Sequence, residues 1–322
     1  MSVPEEGPLV SVIIVNWNGL PYLKDCLVSL LSSAYSRMEI IVSDNASNDG
    51  SQKMIEEEFQ NVKLIRNQLN LGFSGGNNVA FRSAKGSYFF LLNSDAAIES
   101  NCISKLIGAA ARDPSIAILG CKIFNSTAGN RVLEHVGGIL FPSGYTTNRG
   151  YLETDNGQFE EERDVDYVAA AAMMVSRHLV EQIGPFDDLF SLYYEETDLG
   201  YRARRAGFKV VVVPSAVAWH IGGATVNRLY DKRAKLKAME RSRVCFVLKS
   251  FSLPLLLKFV RHEVSMNASF FLSRRGRGRA VRGNFVAIGL AYLWAFAHMS
   301  LILRHRIEAA AEISRARRSS NE

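Results

Sequence analysis

VSVIIVNWNG, residues 10–19, is the stretch from which the fold of this chain can be worked out. A run rich in β-branched side chains, Val10 to Val15, is followed at once by two asparagines, a tryptophan and a glycine. A short apolar run that ends in turn residues is typical of a buried strand with its turn. We therefore predict a core strand that ends at Asn16–Asn18.

The residues that follow alternate between helical and strand-like patterns. Helical spacing appears in PYLKDCLVSLLSS, DGSQKMIEEEF and SGGNNVAFRSAK, and short apolar runs appear in EIIVSDNAS, VKLIRN and YFFLLNSD. This alternation predicts an α/β fold with a mainly parallel sheet. Ligands of such sheets bind at the carboxyl ends of the strands. Polar clusters stand at three of these ends, Asn16–Asn18, Ser43–Asn45 and Asn93–Asp95, so we expect them on one rim.

The second half of the chain is less regular. Residues 121–162 are rich in Gly, Asn and Thr and predict hairpins and loops, and residues 165–177 predict a buried strand. A short helix, a helix ended by Gly207 and one more strand follow, and the pattern then becomes helical and basic. We predict one α/β unit over residues 1–227 and a helical extension over residues 228–322.

Charge is distributed unevenly along the 322 residues. The net charge is +6, and Lys and Arg are concentrated in the last third. A basic segment indicates an anionic partner, such as phospholipid or a substrate that carries a diphosphate. Nucleic acid is not expected, because the basic residues alternate with aliphatic runs rather than with exposed aromatic side chains. A solvated tail is the alternative interpretation.

Four cysteines are scattered without a CxxC pair, which argues against a zinc site and against a disulfide framework. Such cysteines fit a reducing cytoplasm. The first residues, MSVPEEGPLV, lack the basic and apolar regions of a signal peptide. We expect a cytoplasmic catalytic unit.

Asp95 follows the apolar run YFFLL, where a core strand has no use for a carboxylate. Mg²⁺ or Mn²⁺ takes oxygen ligands and commonly bridges carboxylates to substrate phosphates, so Asp95 is a candidate metal ligand. The alternative is that Ser94 or Asp95 caps a helix in AAIESNCISKLIGAA. From these residues alone the two interpretations are equally good.

The remaining polar clusters each have two readings as well. Asp44 and Asn45 can bind the edge of a pyrimidine base or form a turn. The loop NLGFSGGNN can approach an anionic ligand closely or be simply flexible. Glu195, Glu196 and Asp198 can supply a general base or an acidic first turn of a helix. His220, which ends an apolar strand, can bind a metal or be a core histidine.

Taken in order, these motifs resemble those of the family 2 inverting glycosyltransferases of the GT-A fold. The likeness is carried by NWNG, SDNASNDGS, NLGFSGGNN, LLNSDA, FSLYYEETDLGYRARRAGFKV and AWHIGG. It extends from about Val10 to Gly223 and is nearest to rhamnosyltransferase-like members that build bacterial cell-surface polysaccharide. The resemblance implies a Rossmann-like nucleotide-diphospho-sugar transferase fold with a mostly parallel central sheet and a C-terminal helical extension.

The resemblance also implies roles for individual residues. Nucleotide and donor binding falls to Asn16, Asn18, Asp44 with Asn45 beside it at the base, Asn70, Gly72, Asn78, Asn93 and Ser94. The metal ligands are Asp95 and His220, and the catalytic base is Glu196 or its neighbour Glu195. Two positions depart from the family pattern. Asn93 replaces the first acid of the metal-binding motif, and Glu196 stands where the family usually has Asp.

The implied reaction is a metal-dependent, inverting transfer of rhamnose or another hexose. The donor is a nucleoside-diphosphate sugar, and the acceptor is a hydroxyl of a saccharide or of a lipid-linked saccharide. Two other functions stay open: a sugar-phosphate nucleotidyltransferase, for which NWNGLPYLK is a poor triphosphate loop, and a non-catalytic relative that binds sugar nucleotides.

Two apolar stretches of the basic extension raise the question of a membrane. Residues 284–303 contain no Asp, Glu, Lys or Arg over a length that just suffices to span a bilayer, and Phe251–Val260 is a second apolar stretch. We expect helices that lie on the inner face of the cell membrane, with arginines towards anionic lipid. A true span and a packed helix or homodimer contact are the alternatives.

Overall fold

The structure is a computed structural model that describes residues 7–129, 131–190, 192–223, 231–272 and 279–319, without the side chains of residues 266–285 and 319. The first part alternates strands and helices as predicted. The elements are β1 Val10–Asn16, α1 Leu20–Leu31, β2 Met38–Asp44, α2 Ser51–Glu58, β3 Val62–Arg66, α3 Gly72–Ser83 and β4 Tyr88–Leu92.

The middle part holds short strands and three helices. They are β5 Ala96–Ile98, α4 Cys102–Arg112, β6 Ile116–Asn125, β7 Leu133–His135, β8 Gly138–Leu140, β9 Thr146–Asn148, β10 Arg163–Asp164, β11 Ala172–Ser176, α5 Arg177–Ile183, α6 Glu195–Ala206 and β12 Lys209–His220. Four further helices follow: α7 Lys232–Ser250, α8 Leu253–Leu272, α9 Arg279–Ala297 and α10 Met299–Ser319.

The main sheet runs in the order β10-β12-β6-β11-β4-β1-β2-β3, with β5 paired to β12 and β7 to β6. Neighbours in the run β4-β1-β2-β3 are parallel, as are β12 and β6, whereas β11 is antiparallel to both of its neighbours. The prediction of an α/β fold with a mostly parallel sheet and C-terminal helices is therefore confirmed.

Both faces of β1 are covered, which explains its apolar sequence. Val12 and Ile14 pack into one buried cluster with Leu23 of α1, whereas Ile13 points to the opposite face and packs with Phe81 of α3. Burial of each such side chain contributes about 1.5–3 kcal/mol relative to exposure.

The structure corrects one sequence prediction and excludes one alternative. Only Ala172–Ser176 of the predicted strand 165–177 is a strand, because the residues before it bond elsewhere: the Val165 N–H donates to the Val210 carbonyl. The alternative interpretation, in which Ser94 or Asp95 caps a helix, is excluded because no helix begins there. Residues 96–98 form β5, and the helix starts at Cys102, so neither side chain caps it.

The C-terminal helices pack closely against the rest of the molecule. Phe190 and Tyr194, which precede α6, share a buried cluster with Phe246 of α7, Ala291 of α9 and Ile302 of α10. The predicted unit boundary between residues 227 and 228 lies outside the described residues. On the described side of it, α7 is part of the packed core around α6.

The 284–303 stretch is divided between α9 and α10. By length and composition, none of the described helices reaches across a bilayer alone; residues 286–297 and 299–318 pass such a test only as a pair, with a bend of 75° between them. The four cysteines, Cys26, Cys102, Cys121 and Cys245, are buried and not disulfide-bonded.

A buried ammonium connects α7 to α6. Lys249 is 3% exposed, and its Nζ lies 2.7 Å from Asp198 Oδ1 and 2.5 Å from Asp187 Oδ2. Asp198 is fully buried and also pairs with Arg202 at 2.8 Å. Removing one partner of a buried ion pair leaves an uncompensated charge.

We expect Lys249→Ala to lower the free energy of unfolding by about 3–5 kcal/mol, since it strips two carboxylates of their shared cation. The measurement is urea unfolding followed by circular dichroism. Lys258→Ala, at an exposed position of α8, is the matched control and should change stability by about 0.5 kcal/mol or less. Equal stability of the two variants would show that the buried network contributes nothing.

Candidate functional site

The carboxyl ends of β1 and β2 form one part of the rim. Asn16 and Asp44 are partners in the parallel register, and Asn16 Nδ2 donates to Asp44 Oδ2 at 2.8 Å and to Ser51 Oγ at 2.9 Å. Asp44 Oδ1 accepts from the Ser47 N–H at 2.9 Å. Asp44 has no exposed surface, so its carboxylate fixes the turn after β2 and the side chain of Asn16.

The turn after β1 brings this part of the rim against the end of β4. Asn18 has a left-handed backbone (φ 50°), and its side-chain oxygen accepts from the Asn48 N–H at 2.8 Å. A Cβ on Gly19 would lie 2.3 Å from Asn16 Oδ1 and 3.1 Å from Ser94 Oγ. Glycine is therefore required for the close approach that brings Asn16 and Ser94 to the same place.

A network of amides forms the adjoining wall. Asn45 Nδ2 donates to Asn70 Oδ1 at 3.2 Å and to the Gly72 carbonyl at 3.0 Å, and Asn45 Oδ1 accepts from Asn67 Nδ2 at 2.9 Å. Gly72 begins α3 with φ 70°, a conformation that suits glycine. The glycine-rich loop is thus fastened to the end of β2.

Asn78 is turned to a different task from the donor contact predicted for it. Its Nδ2 donates to the Phe186 carbonyl at 2.8 Å, and its Oδ1 accepts from the Phe186 N–H at 3.2 Å. Both ends of the amide are thus used to hold the loop between α5 and α6 against α3. This geometry favours a structural role for Asn78.

Asp95 and His220 lie 125 residues apart and meet because β5 pairs with β12. Ala96 is opposite His220 in this antiparallel register, and the Ile221 N–H donates to the Asp95 carbonyl at 3.1 Å. His220 Nε2 lies 3.2 Å from Asp95 Oδ1 and 3.2 Å from Asn93 Nδ2. The structure thus brings Asn93 and Asp95 of the predicted metal-binding motif together with His220.

Glu134 completes this group and was not found from the sequence. Its Oε1 lies 2.7 Å from His220 Nδ1, on the opposite side of the ring from Asp95. The sequence gives only a weak signal, a single carboxylate between Leu133 and His135, which are both buried in the structure. Burial disfavours the charged form of His220, but hydrogen bonds to Asp95 and Glu134 outweigh this and raise its pKa to about 10.

The atoms of Asp95 and His220 fit a divalent cation. Two ligands of an octahedral Mg²⁺, each at about 2.1 Å, lie about 3 Å apart, close to the observed separation of Oδ1 and Nε2. A carboxylate oxygen is a suitable ligand for Mg²⁺ or Mn²⁺, and an imidazole nitrogen is a ligand that suits transition metals. Asn93 would help to orient the His220 ring through its own contact with Nε2.

A second acidic group, Asp187, Asp188 and His305, lies beside the C-terminal helices, with side-chain atoms within 4.8 Å of one another. Asp187 already pairs with the ammonium of Lys249 and with His305 at 2.8 Å. A cation there would compete with a positive charge that is already buried. This group therefore fits a metal less well than the rim does.

The acidic pair Glu195 and Glu196 begins α6 after two tyrosines in an unusual conformation. Tyr193 and Tyr194 have φ of 67° and 73°, although left-handed backbone is unfavourable for bulky residues. The Tyr194 hydroxyl donates to the Gly144 carbonyl at 2.7 Å and holds this bend in place. Strained backbone of this kind is concentrated at active sites.

The two carboxyl groups have different surroundings. Glu195 is buried, and its Oε2 has no hydrogen-bond partner among the described residues; Glu196 keeps part of its surface exposed. Burial raises the pKa of Glu195 well above its usual range, and the neighbouring charge of Glu196 raises it further. Burial also raises the pKa of Glu196. The pair is therefore suited to hold one proton and one negative charge.

Comparison with known proteins identifies the family of this arrangement. The family model described as "Glycosyl transferase family 2" matches residues 11–184, more than half of the chain. An N-acetylglucosaminyl-diphospho-decaprenol L-rhamnosyltransferase of Mycobacterium tuberculosis is 24% identical over 269 residues, which cover 74% of this chain and 84% of that protein.

Two solved structures have the same fold at low sequence identity. Staphylococcus aureus TarS 1–349 in complex with UDP-GlcNAc has a TM-score of 0.59 at 16% identity, over 97% of this chain and 91% of that one. The mannosyltransferase PcManGT of Pyrobaculum calidifontis, with GDP-Man and Mn²⁺, has a TM-score of 0.54 at 15% identity, over 96% and 88%. The family match favours sugar transfer over nucleotidyl transfer and over a non-catalytic relative.

Proposed function

The chain belongs to glycosyl transferase family 2, and we propose that it transfers rhamnose or a similar hexose from a nucleoside-diphosphate sugar to a lipid-linked saccharide. Glycan synthesis is the setting of its relatives, and the M. tuberculosis protein is named for an acceptor attached to diphospho-decaprenol. The observation that carries the proposal is the separation of 3.2 Å between Asp95 Oδ1 and His220 Nε2 on the rim of the donor loops.

The donor nucleotide would rest on the rim formed by the ends of β1 and β2. Asn18, Asn45 and the loop of Asn70 and Gly72 offer amide and backbone groups beside the bend at Gly19. Asp44 would act here by holding Asn16 and the turn in place, since its buried oxygens already accept hydrogen bonds. Glycine at 72 lets the backbone come close to a sugar or diphosphate.

Asp95 and His220 would hold Mg²⁺ or Mn²⁺ at this rim. Mn²⁺ accompanies the donor GDP-Man in the PcManGT structure. A bound divalent cation supplies Lewis-acid stabilisation of the negative charge on a departing diphosphate. Ser94, which lies beside Gly19, would help to close the rim around the diphosphate.

Glu196 would act as the general base. It takes the proton from the acceptor hydroxyl as that oxygen forms a bond with the anomeric carbon. The bond from this carbon to the diphosphate oxygen breaks, and its electron pair leaves with the diphosphate. Attack from the opposite face inverts the anomeric configuration, through an oxocarbenium-like transition state.

Glu195 would keep the shared proton of the pair. It is the more buried of the two, and both burial and the charge of Glu196 raise its pKa. A neutral Glu195 leaves the negative charge on the more exposed Glu196, where an acceptor can reach it. Neighbouring carboxyl groups with different surroundings commonly divide acid and base roles in this way.

Glu196→Gln is expected to lower kcat by about 10²–10⁴-fold, because the amide cannot take a proton, while donor affinity is kept. Glu195→Gln, which resembles a protonated Glu195, should retain kcat within about tenfold. Release of nucleoside diphosphate with a lipid-linked saccharide acceptor measures both. A greater loss in Glu195→Gln than in Glu196→Gln would reverse the assignment.

Asp95→Ala is expected to abolish the stabilisation of the folded protein by a nucleotide sugar with Mn²⁺, because one of two cation ligands is lost. A panel of UDP-, GDP- and dTDP-sugars is screened by thermal shift, and the donor found is then followed for turnover. Asp188→Ala removes an exposed acid of the second acidic group and should behave as wild type. Equal Mn²⁺ effects in wild type and Asp95→Ala would contradict the cation site.

A lipid-linked acceptor requires access to a membrane. The C-terminal helices expose apolar side chains that could contact one. Exposed apolar side chains recur at helical spacing on α8 and α9. They are Leu253, Leu257, Val260 and Val264 on α8, and Val286, Leu290, Leu293 and Phe296 on α9. Phe296 is 81% exposed, and large exposed apolar side chains that cluster on a helix face mark an interaction site.

Charge favours an anionic bilayer over a second copy of the chain as the partner. Residues 228–322 contain 20 of the 38 Lys and Arg but only 6 of the 32 acidic residues. Two such segments would repel each other, whereas acidic phospholipid attracts them. Lys258 and Arg261 are exposed beside the apolar stripe of α8, as in helices that lie in a membrane interface.

Leu257→Glu combined with Leu293→Glu is expected to weaken co-sedimentation with phosphatidylglycerol vesicles at least tenfold, because each leucine contributes about 1.5–3 kcal/mol when buried. Val28→Glu, at an exposed apolar position of α1, is the control and should sediment like wild type. Unchanged sedimentation of the double variant would refute lipid docking. A change in oligomeric mass instead would identify a dimer contact.

A further inference from the structure

We propose that Glu134 is a positioning residue of the cation site, and that it orients His220 so that Nε2 is directed towards Asp95. The inference rests on the proposed function, since it concerns the site assigned above to Asp95 and His220. Glu134 lies outside all of the sequence motifs described above. The contacts of the imidazole ring carry the inference.

The two nitrogens of His220 are engaged on opposite sides. Nδ1 lies 2.7 Å from Glu134 Oε1, and Nε2 lies 3.2 Å from Asp95 Oδ1. Because the nitrogens diverge, Glu134 and Asp95 cannot share one cation at the ring. A carboxylate that accepts the Nδ1 proton keeps this proton in place, so a cation at Nε2 would displace only the Nε2 proton and bind the lone pair there.

A β-bulge aims Glu134 at the ring. In the pairing of β7 with β6, Leu133 is opposite Phe124 and His135 is opposite Ile123. Glu134 is therefore the extra residue between two consecutive partners. Bulges re-aim side chains in this way beside functional sites. Because β12 pairs with the other edge of β6, the two side chains meet at the end of that strand.

The second carboxylate oxygen of Glu134, Oε2, makes no hydrogen bond to the ring of His220. Oε2 is buried and has no hydrogen-bond partner among the described residues. A Cβ on Gly222 would lie 3.5 Å from Oε2, so the backbone after His220 closes over the carboxylate. A buried carboxylate oxygen without a partner is unfavourable for folding, and the contact with His220 is the side-chain interaction that compensates it.

A neutral amide at this position would lose the preference for one tautomer. In Glu134→Gln the side chain has nearly the same size, but it can donate through its NH₂ group as well as accept. His220 would then hold its proton on either nitrogen, and the fraction with the lone pair on Nε2 would fall. Outer residues that orient a metal-binding histidine affect metal affinity by about 10–100-fold.

The test is Mn²⁺ binding to the full chain, measured from the EPR signal of free Mn²⁺ with no nucleotide or acceptor present. Glu134→Gln should bind Mn²⁺ about 10–100-fold more weakly than wild type, and Glu161→Gln, in an exposed loop, should bind it equally well. Equal melting temperatures of wild type and Glu134→Gln establish that the variant is folded. Glu134→Asp, which keeps the charge, should recover part of the affinity.

A spectroscopic readout separates orientation from a merely structural effect. In ¹⁵N-histidine protein with Mg²⁺, long-range ¹H–¹⁵N correlation spectra should show His220 with its proton on Nδ1, and mixed tautomers in Glu134→Gln. Mn²⁺ affinity within twofold of wild type, with an unchanged His220 pattern, would overturn the proposal. If Asp95→Ala also binds Mn²⁺ like wild type, the cation site itself has failed rather than the role of Glu134.

Discussion

The buried carboxylate of Asp198 is the constraint on which the position of the first turn of α6, with the proposed base, depends. It has no exposed surface and is held by Arg202 within the same helix and by Lys249 from α7. Such a charge can be buried only when it is paired on all sides, so α6 has one position relative to α7. Glu195 and Glu196, at the start of the same helix, are therefore fixed in position as well. The fixed position of α6, together with the hydrogen bond from the Tyr194 hydroxyl to Gly144, keeps Tyr193 and Tyr194 in left-handed backbone, at a cost of about 1–3 kcal/mol each.

Sequence patterns could predict the part of the site that depends on parallel strands. Adjacent parallel strands end on the same edge of a sheet, so the clusters after β1, β2 and β4 had to be neighbours. The bonds from Asn16 to Asp44 and the closeness of Gly19 to Ser94 follow from this geometry. The periodicity of the residues up to Leu92 was also strong enough to predict each strand and helix from β1 to β4.

Other parts of the site depend on contacts that periodicity does not describe. Asp95 and His220 meet through a three-residue antiparallel strand, β5, whose sequence reads equally well as the start of a helix. Glu134 reaches the ring through a bulge, which leaves no repeat in the sequence. The resemblance implied a donor contact for Asn78, and the structure shows that its amide bonds to the backbone of Phe186. In each case a tertiary contact decided between two local readings.

The proposed cation ligands and the proposed base are held in place by different parts of the fold. Asp95 and His220 are fixed by backbone pairing within the sheet, whereas Glu195 and Glu196 are fixed through Lys249 by the C-terminal helices. Those helices also carry the exposed apolar side chains of α8 and α9. The helices with the surface proposed for the membrane are therefore connected, through α7, to the helix that carries the proposed base. We expect an acceptor held in a membrane to approach from the side on which this base is anchored, and the donor to approach from the rim of the sheet.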